Sequence, residues 1–226
     1  MKKILTVAVL LAISVVLCAQ KEVTRFLGIP VDGTKTEMMQ KLKAKGFRYN
    51  STSDCLEGEF NGSQVQLHVV TNNNKVWRIV VMDAIASNEI DIKIKFNNLC
   101  RQFEKNEKYM PSSLSMRMID ENENISYGIA VEKKRYEAAF CQLANYSLNS
   151  VDSLSMTSQI QSLYTKEELA NPTEELMETV EAIAFKYIFE KCSKRSVWFM
   201  IGEQYGSYRI LMYYDNEYNH SDGEDL

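Results

Sequence analysis

The sequence predicts an α+β fold: an antiparallel sheet with three main helices, in which a helix followed by strands recurs along the chain. Three observations predict it. Apolar residues repeat at helical spacing over about 35–45, 88–107 and 172–194. Between these stretches they alternate with polar residues, as half-buried strands do. The alternating runs are joined by short turn signals such as Asn61-Gly62, which connect antiparallel neighbours rather than crossovers.

Taken in order, Phe26 to Gly33 reads as a short extended piece and a turn. Thr34 and Glu37 stand at capping-box spacing, with Met38, Met39 and Leu42 on one side of the following helix and Gly46 as its stop. Three strands follow, at Leu56 to Phe60, Val65 to Val70 and Val76 to Met82, with turns at Asn61-Gly62 and Asn72-Asn73-Asn74. In the third, Trp77, Ile79 and Val81 alternate with Arg78 and Val80, which puts Trp77 on the core face. Ile92, Phe96, Leu99 and Phe103 then mark a helix from 88 to 107, with Ser87 as its N-cap. Beyond a break at Pro111-Ser112-Ser113, strands are expected at Leu114 to Ile119, Ile125 to Val131 and Arg135 to Leu143. The last two are joined by a charged turn, Glu132-Lys133-Lys134. The polar stretch from Asn145 to Lys166 holds one short helical pattern, Met156, Ile160 and Leu163. Asn171-Pro172 opens a long helix, whose stripe is Leu176, Val180, Ile183 and Tyr187. A hairpin of Val197 to Ile201 and Tyr208 to Tyr214 closes the fold. Val76-Trp77 and Val197-Trp198, each opening a strand, hint at related units.

The expected organisation is a signal peptide at 1–19, one compact unit over 20–215 with a sub-unit break near 109–115, and an acidic frayed tail at 216–226. Lys2 and Lys3 precede an apolar run from Ile4 to Leu17. As a helix that run spans about 21 Å, short of the ~30 Å hydrocarbon core, so it reads as a secretory signal cut after Ala19. The less favoured alternative is lipid attachment at Cys18, where the bulky Leu17 fits poorly. The expected location is therefore exported, periplasmic or secreted, with no transmembrane span in the mature chain. Removing Lys2 and Lys3 leaves 24 basic against 30 acidic residues. With 45% hydrophobic and 25% charged residues, the composition excludes a disordered or multispanning chain, and the acidity argues against nucleic acid as a partner.

Four cysteines survive such cleavage: Cys55, Cys100, Cys141 and Cys192. In an exported chain they allow two disulfides in three connectivities, or four buried small hydrophobes. Their spacing matches no zinc motif.

Gly28-Ile29-Pro30-Val31-Asp32-Gly33, the capped helix and Lys45-Gly46-Phe47 resemble the opening of uncharacterised exported proteins from Bacteroides-type bacteria. The helix-then-strands order resembles the SmpA-type outer-membrane-assembly lipoproteins and the tandem β-lactamase-inhibitor-protein architecture. The resemblance implies an envelope or secreted protein that works through binding surfaces, with no catalytic residue carried over.

Catalytic signatures are absent: no Gly-x-Ser-x-Gly elbow, phosphate-binding loop, Rossmann glycines or His-Glu-x-x-His pair occurs. Of the two histidines, His220 lies in the acidic tail and His68 on a strand face. Glu57 and Glu59 point the same way, as a glycosidase pair or any solvated strand face would. Asp120, Glu121 and Glu123 lack the EF-hand spacing. Lys133, Lys134 and Arg135 form a weak basic tip among acids, and Asp152-Ser153-Leu154 resembles the short O-glycosylation site of Bacteroides-type exported proteins. No metal, cofactor or catalytic residue is assigned, and the balance leans away from an enzyme.

The terminal hairpin carries the best binding candidates. Val197, Phe199 and Ile201 alternate with Trp198 and Met200, so both of its faces are apolar. Either the 172–194 helix and other chain cover both faces, or Trp198, Tyr205, Tyr208 and Tyr213 line a recognition surface. The expected function is a non-catalytic interaction protein of the bacterial envelope, binding a protein or glycan. The alternatives are a secreted hydrolase whose carboxylates converge only in the fold, and a structural envelope component.

Overall fold

The computed structural model describes residues 22–112, 118–143, 158, 160–165, 168 and 173–221. A two-stranded hairpin, β1 (Arg25–Phe26) and β2 (Ile29–Pro30), precedes helix α1 (Lys35–Ala44). The capping box forms as its residues dictate: Glu37 N donates to Thr34 Oγ1 at 3.3 Å, and Thr34 N to Glu37 Oε2 at 3.0 Å. Strands β3 (Arg48–Asn50), β4 (Cys55–Phe60), β5 (Ser63–Asn72) and β6 (Lys75–Asp83) follow as a meander. Helix α2 (Glu89–Glu104) leads to β7 (Tyr109–Pro111), helix α3 (Ile125–Ala130), β8 (Glu137–Gln142), helix α4 (Glu174–Cys192), β9 (Arg195–Gln204) and β10 (Ser207–Asn216).

All eight strands from β3 onward join one antiparallel sheet in the order β3-β4-β5-β6-β10-β9-β8-β7. This order is symmetric about the β6–β10 seam. Each half opens with a helix and supplies four strands that run from the sheet's edge to its centre; in the second half, α3 and α4 fall between the strands. Val76-Trp77 therefore opens the fourth strand of one half and Val197-Trp198 the third strand of the other, so the two dipeptides are not equivalent. The region near 109–115 holds edge strand β7, paired to β8 through Met110 and Cys141; Pro111 sits where an edge tolerates a missing donor.

Helices α1 and α2 cover one face of the sheet. Met38 and Leu42 from α1, and Ile92, Phe96, Leu99 and Phe103 from α2, meet Leu67, Ile79, Phe140, Phe199 and Met212 in a single core. Phe96 and Phe199 pack edge-on at 5.2 Å, and Phe103 stacks on Phe140 at 4.6 Å. The terminal hairpin is central, as its two apolar faces require, but the helix over it is α2, while α1 lies over β4, β5 and β6. Helix α4 packs against β8.

Four expectations are corrected. Ile125–Ala130 is helical rather than extended: Asn124 caps it through Tyr127 N at 2.8 Å, and the distant Glu89 carboxylate takes Ile125 N at 2.8 Å and Ser126 Oγ at 2.5 Å. Its alternation is equally an i, i+4 pair, Ile125 and Ile129, and satisfaction of the free N–H groups by Glu89 decides for helix. The Glu132-Lys133-Lys134 turn consequently joins a helix to a strand. The second helix is capped by Asn88 rather than Ser87, with Asn88 Oδ1 accepting from Asp91 N at 2.9 Å. Trp77 does not face the core: Val70 pairs with Arg78 and Thr71 with Val76, so Trp77 is the extra residue of a β-bulge. Finally, Cys55, Cys100, Cys141 and Cys192 are all buried free thiols, so the disulfides allowed by their even number do not form here.

Of the strand expected at Leu114 to Ile119, residues 114–117 lie outside the described residues, as do most of 145–166, the Asp152-Ser153-Leu154 motif, the Asn171-Pro172 helix start and the first 21 residues. Residues 216–221 continue from β10 with specific contacts. Asn216 is fully buried and donates to Val31 O at 2.8 Å, and Asn219 donates to Asp32 and Val76. Among the described residues, no helix is long and apolar enough to cross a membrane.

Candidate functional site

Among the described residues, the sheet's other face is largely half-buried. The strand register aligns one row across it as His68, Val80, Tyr213, Trp198 and Ala139, and a second as Gln66, Met82, Leu211, Met200 and Glu137. Most of these side chains are half-buried, and Ala139 is exposed. Val80, Met82, Trp198, Met200, Leu211 and Tyr213 make these rows largely apolar, where a wet sheet face is ordinarily polar. The Leu211 Cδ1 fills the space that a side chain on Gly202 would take, so a larger residue there would have to displace it. The glycine thus keeps this part of the face low.

Trp198 and Tyr213 are cross-strand partners on this face, their rings stacked 4.0 Å apart at 17°. Arg78 lies over the group, 4.2 Å from the Trp77 ring, 4.8 Å from Tyr213 and 5.5 Å from Trp198. It is held there by Asp215, which accepts from its Nε at 2.6 Å and its Nη2 at 2.7 Å. Trp198 Nε1 donates to the same carboxylate at 2.9 Å. Asp215 is only 2% exposed, so the carboxylate is the anchor beneath a rigid aromatic and guanidinium layer. His220 closes the group, its ring edge-on to Trp77 at 4.6 Å. Burial pushes the Tyr213 hydroxyl above its ordinary range.

Of the four aromatic residues expected to form a recognition surface, Trp198 and Tyr213 come together. Tyr208 does not join them: it faces the helix side, 3% exposed, with its hydroxyl 2.6 Å from Ser126 Oγ. Tyr205 stands apart at the hairpin tip, 94% exposed, about 20 Å along the strand from Trp198. The expected quartet is thus a pair, because adjacent strand positions point to opposite faces. Trp77, Arg78 and Asp215 complete the group and were not indicated by the sequence. Trp77 is brought over by the bulge, and Arg78 and Asp215 pair across 137 positions with no local signal.

The other candidates resolve into ordinary contacts. Glu57 accepts from Asn50 Nδ2 at 3.0 Å, and Glu59 is exposed. In the acidic turn, lysines supply the positive charge: Lys93 Nζ donates to the Glu121 and Glu123 carbonyls at 2.7 and 3.0 Å. The Glu123 carboxylate takes Tyr136 at 2.5 Å and Lys134 at 3.0 Å, hydrogen bonds that hold it below the ordinary carboxylate range. Lys133 caps the Ala130 carbonyl at 2.7 Å, and Arg135 pairs with Glu137 at 2.8 Å, so the basic tip is internally neutralised. Among the described residues, no group of three His, Cys, Asp or Glu side chains could hold a metal ion. No protein-family model, curated protein or solved structure matches this chain.

Proposed function

We propose that the protein is an exported, non-catalytic binding protein of the bacterial envelope that engages a protein or glycan partner through the aromatic sheet face. The observation that supports this reading is the Trp198–Tyr213 stack, half-buried on the sheet face and held rigid by Arg78 and Asp215. Rigid aromatic area loses little conformational freedom on binding, which is why such residues dominate recognition surfaces. Export rests on the charged start and short apolar run of residues 1–19.

Two measurements test this. Intact-mass analysis of the exported protein is expected to give a chain beginning at Gln20; a diacylglyceryl mass on Cys18 would replace the soluble form with a lipid-anchored one. Partner capture from envelope extract of the native host is expected to fail for Trp198→Ala while Trp198→Phe retains it. Trp198→Ala loses part of a half-buried ring and one hydrogen bond, for about 1–2 kcal/mol of stability, below the ~3–5 kcal/mol of a fully buried tryptophan. Equal capture by a folded Trp198→Ala protein removes this residue from the binding surface.

A further inference from the structure

On the helix side of the sheet, a cavity of about 720 Å³ opens between the β1–β2 hairpin, the C-terminal half of α2 and strand β10. This volume lies within the ~300–1,000 Å³ of sites that enclose small organic ligands. Its apolar wall is Phe60, Leu99, Phe103, Met212 and Tyr214. Its charged lining is unequal, with Arg25, Lys108 and Arg195 against Glu22 and Glu59.

Arg195 is the telling residue. It is 4% exposed, yet its guanidinium is poorly satisfied. Nη1 donates at 2.8 Å to Glu22, a carboxylate whose side chain is 47% exposed. Among the described residues, Nη2 reaches only the weak sulfur acceptor of Cys192 at 3.2 Å. Nε has no hydrogen-bond partner among the described residues. Buried guanidinium groups are ordinarily saturated with acceptors, because water no longer supplies them. An acceptor-rich group beside an apolar wall is the missing complement, and the planar guanidinium fork matches a carboxylate.

We propose that this cavity binds an organic monocarboxylate with an apolar body, its carboxylate against Arg195 and its body along Phe60, Phe103 and Met212. Glu22 then competes with the ligand for the same guanidinium. The site lies on the opposite side of the sheet from the aromatic face and is independent of it.

Titration calorimetry on the full exported chain, with sodium dodecanoate as the probe, tests the proposal. The expected result is saturable one-site binding, at least tenfold weaker for dodecanol, which lacks the charge, and for butyrate, which lacks the body. Glu22→Gln is expected to tighten dodecanoate binding several-fold, and Arg195→Gln to abolish it. The exposed position of Glu22 keeps the first variant informative even where Arg195→Gln fails to fold. Absence of dodecanoate binding overturns the proposal, as does equal affinity for dodecanol, or a Glu22→Gln protein that binds no better than wild type.

Discussion

At the scale of single residues, Asp215 organises the aromatic face. Its carboxylate accepts from both Arg78 nitrogens and from Trp198 while remaining 2% exposed, and Arg78 covers it at 22% side-chain exposure. Removing the cation leaves a buried charge with one indole donor. Arg78→Met is therefore expected to lower unfolding free energy by about 2–3 kcal/mol in urea titration, less than the ~3–5 kcal/mol of a wholly buried pair because water reaches the site. A change within ~0.5 kcal/mol would show that the pair is only a surface contact. Tyr205 is the opposite case. It occupies a left-handed position of the hairpin turn, φ 53°, followed by Gly206 at φ 72°, and its ring is free in solvent. Asn adopts that conformation more readily than Tyr, so Tyr205→Asn is expected to stabilise the protein by about 0.5–1 kcal/mol, read from the urea midpoint. It should leave partner capture unchanged, since Tyr205 is remote from Trp198.

Among the elements, α3 depends on a residue outside itself. Glu89, in the first turn of α2, accepts from Ser126 Oγ and Ile125 N, and these bonds hold its carboxyl below the ordinary value of 4.5, the Ser126 bond most strongly. A depressed folded-state value stabilises the fold above about pH 4.5, and that contribution is lost as pH falls through the folded value. Urea midpoints measured downward from pH 6 are expected to fall less steeply in acid for Glu89→Gln than for wild type. An unchanged acid slope would mean that α3 docking does not report on Glu89. The same element shows where local pattern runs out. Thr34, Glu37 and Asn61-Gly62 specify a cap and a turn from within a few residues, and the structure has both. Ile125 to Val131 is compatible with strand and helix alike, and Glu89 arbitrates from 36 positions away.

For the whole molecule, the β6–β10 seam joins two helix-plus-four-strand halves into one sheet and one core. All four cysteines are buried, Cys100 within that core, and burial pushes the Cys100 and Cys141 thiols up to about 11. Thiolate is the reactive species, so the folded chain beginning at Gln20 is expected to show no reactive thiol in a dithionitrobenzoate assay at pH 8, and four once unfolded. Fewer than four after unfolding without reductant would establish a disulfide. This assay also checks cooperativity, since the cysteines are spread over both halves and should become reactive together.

The sequence by itself determines the features written in short-range chemistry: the fold class, the capping box at Thr34 and Glu37, the Asn-Gly turn, the hairpin from 197 to 214 and its two apolar faces. These follow from side-chain period and from residues that bond their own backbone neighbours. Only the tertiary structure decided which helices cover that hairpin, that Tyr208 leaves the group containing Trp198 and Tyr213, and that Trp77 enters it through a bulge. It alone set Arg78 on Asp215 and left Arg195 buried with a nitrogen unsatisfied among the described residues. The physical reason is separation along the chain. Each of these outcomes depends on strand register or on a partner far away in sequence, and neither leaves a mark within one turn or one strand.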